Sequence, residues 1–227
     1  MGLRTAHAPR SAITAAVPFV APFVIFVALR WLPFAQEWVA PVRLVVVAAA
    51  IALLSWHVIP RRPSFAWGSI LLGVAVFAVW IGPDLVWPGY RDTWLFHNVV
   101  TGAARSSLPA QIKSNALFIS IRILESAMLV PILEELFWRG WFMRWLIRAD
   151  FESVPIGRYT PWSFWVVAVL FASEHGPYWD VGLIAGIAYN WWTVRTRSLA
   201  DCIFAHAVTN ALLAGYVLVF NQWQYWL

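Results

Sequence analysis

The sequence predicts an all-α fold, a polytopic membrane bundle of about seven transmembrane helices, six at the fewest and eight at the most. Three observations predict it. Hydrophobic residues make up 61% of the chain, with a mean hydropathy of +0.68. Charged residues make up only 12%, against roughly a quarter in a soluble domain, too few to cover a soluble surface of this size. Apolar runs close to the ~20 residues that cross a bilayer recur at about 12–32, 42–59, 65–82, 114–133, 162–175, 181–194 and 199–220. The 17 Trp suit aromatic rings anchored at both interfaces.

The first run carries Pro18 and Pro22, which predict a kinked helix. Arg4 and Arg10 precede it as in a signal sequence, but the run is as long as a full span and no small-residue cleavage site follows, so it reads as an uncleaved anchor. Residues 83–112 are the one long polar-leaning connection, with Asp84, Arg91, Asp92 and Arg105. The fourth run continues to about residue 147. As a single helix, 113–147 would be about 50 Å long, so Pro131 predicts a bend or a break there, with a short eighth segment after it. Gly176-Pro177 stop the fifth run, and Ser198-Leu199-Ala200-Asp201 reads as a capping box opening the seventh. No internal repeat or second domain is visible, so 1–227 is expected to form a single transmembrane domain.

The net charge of +5 and pI near 9.9 are spread between apolar runs and form no basic stripe, which excludes a nucleic-acid partner. The cations read instead as topology signals. With seven alternating spans and the N-terminus inside, nine loop cations lie inside and five, including Arg43 and Arg91, outside. A single cysteine, Cys202, excludes an intramolecular disulfide.

Ionisable groups inside spans cost about 2.5–3.5 kcal/mol each on insertion scales and so point to partners or chemistry. Here they are Arg122, Glu125, Glu134, Glu135, Arg139, His175 and His206, with Asn210 adding a buried amide. Glu135 and Arg139 are four apart, acid first, the favourable order for a helix ion pair. Glu134 points about 100° away and lacks that partner; it is either a candidate base or part of a water-facing helix end. His175 closes the fifth run, as a polar cap or a catalyst. His206 and Asn210 share one stripe of the seventh helix, either as interhelical glue or as paired donors. Arg122 and Glu125 read as a structural pair, Cys202 as a small buried thiol, and His57 and His97 as ordinary polar residues.

Taken together, Glu-Glu-x-x-x-Arg at 134–139, Phe-x-x-x-His at 171–175 and His-x-x-x-Asn at 206–210 resemble the CAAX protease and bacteriocin-processing family, to which the Ras-converting CAAX endopeptidase belongs. The stretch from Gly182 and Gly186 through Thr196, Ser198 and Leu199 to His206 is similar as well. The resemblance covers about 115–215, which would be the catalytic core. It implies an intramembrane glutamate protease needing no cofactor and no metal, acting on a membrane-associated protein or peptide in the lipid bilayer, with a bacterial inner membrane as the expected location. Glu134, with His175, would activate water. His206 and Asn210 would hold the oxyanion, Glu135 and Arg139 would support the site, and Pro131 would loosen the backbone for water entry. Two alternatives remain. One is a zinc-dependent membrane peptidase, which the same Glu and His side chains suit. The other is a non-catalytic immunity or scaffold protein on the same fold.

Overall fold

The computed structural model describes residues 12–31, 36–106 and 108–226. Arg4 and Arg10, on which the reading of the N-terminal run rests, lie outside them. Among the described residues the regular structure is helical, and the one β-bridge, Asn98 with Gly102, is isolated. Among the described residues seven helical columns follow in order. They are α1 (Ala12–Arg30), α2 (Gln36–Ala50, prolonged by a π-turn at Ile51–Ser55), α3 (Ala66–Val86), α4 (Ala116–Trp145), α5 (Pro161–Ser173), α6 (Trp179–Thr196) and α7 (Leu199–Phe220).

Five of these, α1 to α4 and α7, are long and apolar enough to cross a membrane. The other two expected spans are shorter or more polar helices. At 13 residues, α5 is about 20 Å long, less than the ~30 Å hydrocarbon core. It packs along α6, where a Cβ added to Gly186 would sit 3.1 Å from the Ala168 carbonyl. This is small-residue packing of the kind that lets membrane helices approach closely.

Two prolines are accommodated by identifiable partners or turns. Pro22 lacks an N–H, so the carbonyl of Pro18 loses its helical donor. The buried Ser55 hydroxyl at the end of α2 donates to that carbonyl at 2.5 Å, and α1 runs through unbroken. Pro131 was expected to bend or break the fourth helix and start an eighth segment. Instead α4 is continuous, with π-turns at Glu125–Leu129 and Leu136–Phe142 on either side of Val130–Glu135. Wide turns of this kind absorb a local misfit without ending a helix, and they recur at functional sites.

The interior is tied by long-range polar contacts that local spacing does not reveal. Glu125 forms a two-pronged bond with Arg43 of α2, at 2.9 and 2.7 Å, while Arg122 stays 3.9 Å away. Arg43 is therefore a buried structural cation, not a loop charge, and Glu125's main partner is 82 residues away. Only half of the expected capping box forms: Ser198 accepts from the Asp201 N–H, but the Asp201 carboxylate accepts from Ser64 and Phe65, capping α3 instead. Further along, α3 and α7 touch at Gly73, where a Cβ would stand 2.6 Å from the Ala205 carbonyl. There Thr209 donates to the Gly73 carbonyl and accepts from the Tyr189 hydroxyl of α6.

Candidate active site

The two adjacent glutamates of α4 have opposite surroundings. Glu135 is fully buried, and every contact it makes is structural. It meets Arg139 Nη1 at 3.1 Å, His206 Nδ1 at 2.9 Å and Cys202 Sγ at 3.1 Å. Arg139 is equally occupied: Nε donates to Asn190 at 2.8 Å and Nη2 to the Gly186 carbonyl at 3.2 Å, while its guanidinium lies over the Phe171 ring. Asn190 in turn donates to the Phe164 carbonyl. One buried ion pair thus locks α4, α5, α6 and α7 together. The spacing of Glu135 and Arg139 reveals the pair but not Asn190, whose only sequence signal is a lone amide in an apolar stretch.

Glu134 is half-buried, and its Oε2 is shielded from water without a hydrogen-bond partner among the described residues. Its charged neighbours are Glu174, Glu135, Arg139 and Arg30. Trp138, one turn further along α4, donates to the exposed Glu174 at 3.3 Å. That bond holds the end of α5 against the face of α4 that bears Glu134. Glu174 was not among the expected site residues; it showed in the sequence only as a second polar residue beside His175.

His175 sits just past the end of α5, its Nδ1 2.8 Å from the Phe171 carbonyl. A carbonyl only accepts, so Nδ1 carries the hydrogen and the neutral ring keeps its Nε2 lone pair. The edge of Trp80 meets this ring at 5.1 Å, and Gly182 leaves it room: a Cβ there would lie 3.1 Å from Nδ1. The Phe171 ring packs against both imidazoles, 4.8 Å from His175 and 6.1 Å from His206. His206 is buried and stacks on Tyr189 at 4.9 Å. With Nδ1 bonded to Glu135, its Nε2 donates only when the ring holds both protons. Asn210 faces inward as well, spending one N–H on the Ser126 carbonyl at 2.8 Å, in the first π-turn of α4. Among the described residues no three His, Cys, Asp or Glu side chains stand close enough to hold a metal ion. His57 and His97 are both exposed.

A further residue, read in the sequence as a loop cation, is part of this region. Arg91 is buried and clamps the turn after His175, with Nη1 donating to the Pro177 carbonyl at 2.6 Å and to Asp180 at 2.9 Å. Asp84 closes on Nε at 3.1 Å and the Tyr178 ring covers the guanidinium at 4.2 Å. Burial alone would lower the Arg91 pKa, but Asp180 and Asp84 reverse this and leave it above its ordinary value. Burial, and then the Asp84 charge, push the Tyr178 hydroxyl well above its usual range, so it remains a donor to the Gln224 carbonyl. The signal available in the sequence was the aromatic company of Arg91: Trp87, Tyr90, Trp94 and Phe96 surround it in the chain.

Residues 115–212 match the family model described as type II CAAX prenyl endopeptidase, Rce1-like. No curated protein and no solved structure matches the chain. The matched segment begins just before α4, ends within α7 and bears Glu134, His175, His206 and Asn210. Over this segment the chain is similar to the type II CAAX prenyl endopeptidases.

Proposed function

We propose that this protein is an intramembrane endopeptidase in which Glu134 activates the attacking water. The observation that carries the reading is the contrast between the two glutamates. Glu135 is saturated by Arg139, His206 and Cys202, whereas Glu134 keeps a shielded oxygen without a partner. An idle carboxylate oxygen inside a membrane bundle is costly unless it is used. Glu134 takes a proton from water as the water oxygen bonds to the scissile carbonyl carbon, and the His175 Nε2 lone pair is a second acceptor for that water. The remaining Asn210 N–H, and His206 Nε2 when doubly protonated, donate to the oxyanion. As the C–N bond breaks, the proton held by Glu134 passes to the leaving amine. The substrate is a membrane-associated protein or peptide, and the compartment we propose is a bacterial inner membrane.

One observation favours a second reading, zinc. Both imidazoles have Nδ1 bonded to an oxygen, leaving Nε2 free, as in histidines that ligate a metal through Nε2. Protein reconstituted into vesicles with membrane-anchored peptides separates the two. Glu134→Gln is expected to stop cleavage while the protein stays inserted and monodisperse, and an o-phenanthroline treatment that strips zinc is expected to leave the wild type active. Loss of activity on chelation, with recovery on adding zinc, would establish the metal reading. Turnover by a well-folded Glu134→Gln variant would end both.

A further inference from the structure

The connection between α3 and α4 is polar in composition but apolar on its outer surface. Arg91 turns inward onto Asp84 and Asp180, and Phe96 is buried between Tyr90 and Trp179. The apolar side chains point the other way: Val99 is 104% exposed, Val100 93% and Trp94 77%. This turn is internally braced. The Asn98 side-chain oxygen accepts from the N–H groups of Val100 and Thr101 at 2.9 and 3.0 Å, and its amide donates to the Trp94 carbonyl at 2.7 Å. Asn98 and Gly102 exchange both backbone hydrogen bonds, and Gly102 closes the turn at φ +77°. Its fold therefore holds two valines outward, where water would be a poor solvent for them.

Packing sets the depth at which they sit. The Thr101 carbonyl lies against Gly176, where an added Cβ would be 2.9 Å away, and the Trp179 indole donates to the Leu95 carbonyl at 3.0 Å. His175 and Tyr178, on either side of Gly176 and Pro177, both pack on Trp80, at 5.1 and 6.4 Å between ring centres. Trp80 lies six residues before the end of α3, about 9 Å inside it. Thr101 thus packs on the turn whose flanking rings rest on Trp80, a residue within the apolar length of α3. Leu85, Val86 and Trp87 at the end of α3 are exposed too and continue the apolar surface. The same connection lines a polar cleft of mixed charge, with Asp84, Asp92, Arg105 and Lys113 around it.

We propose that the turn 94–102 is embedded in the bilayer interface, with Val99 and Val100 among the acyl chains and Trp94 at the headgroup boundary. The lipid surface is then the partner of this connection, and it steadies the segment packed against the turn after His175. The proposal stands independently of the proteolytic reading. It is tested with Val99→Cys and Val100→Cys in a Cys202→Ala background, spin-labelled and reconstituted into phosphatidylcholine–phosphatidylglycerol vesicles. The exposed loop residue Glu152, as Glu152→Cys, is the aqueous reference. Collisions with oxygen relative to a water-soluble nickel chelate are expected to be several-fold more frequent at 99 and 100 than at 152. Nickel access at both positions equal to that at 152 would overturn the proposal. So would protection that disappears at one protein per vesicle, because a second copy would then be the occupant.

Discussion

Glu134 and Glu135 are neighbours in the chain, yet helix geometry turns one into the bundle's ion-pair network and leaves the other with an idle oxygen. The i,i+4 spacing of Glu135 and Arg139 made that difference legible in the sequence. What spacing did not show is that His206 is committed to Glu135 through Nδ1, since the two residues are 71 positions apart. Asn210 gives the sharpest prediction at this scale. Asn210→Ala should lower kcat by about 10²–10³, the effect of losing one oxyanion donor, with KM nearly unchanged. Losing the bond to Ser126 should cost only about 1 kcal/mol of stability, so the protein should remain folded. Asn210→Asp should fail equally, because an ionised carboxylate has no hydrogen to give. An active, zinc-loaded Asn210→Asp enzyme would contradict the oxyanion role. Cys202→Ala should retain activity in the same assay, because the thiol only supports Glu135.

At the scale of elements, the helices themselves were legible from apolar runs, and their internal irregularities were not. Hydropathy reads the same for an α-turn and a π-turn, so the two wide turns of α4 around Pro131 left no trace in the pattern. The connection after α3 was read from composition as polar, because composition does not say which side chains turn inward. The α5–α6 pair carries a prediction about precision. Gly182 faces the His175 ring, and a methyl group there would lie 3.1 Å from Nδ1. Gly182→Ala should therefore displace His175 and lower kcat by about 10²-fold, the scale set by a misplaced catalytic group. Its thermal unfolding should change little, since alanine favours a helix over glycine by about 1 kcal/mol. Wild-type kcat in this variant would show that the position of His175 does not limit the reaction.

At the scale of the whole molecule, the family match covers residues 115–212, but the fold that supports the site does not stop there. Arg43 neutralises Glu125, Arg91 clamps Pro177, and the N–H groups of Ser64 and Phe65 engage Asp201. None of these contacts was legible in the sequence, because each joins a residue of the first 91 to one beyond 124 and local spacing carries no sign of such a pairing. A fragment starting at residue 112 should consequently insert but fail to build the site. Its amide hydrogens in 170–182 should exchange far faster than in the full chain; native-like protection there would show that the matched segment is self-sufficient. Whether Glu134 drives proteolysis in the membrane is decided by mapping protein N-termini in membranes from three strains: wild type, a deletion, and Glu134→Gln expressed at the wild-type level. At least one membrane-protein N-terminus is expected in the wild type and absent from both others, with the uncut precursor accumulating in its place. A full wild-type set of N-termini in the Glu134→Gln strain, alongside losses in the deletion, would contradict it.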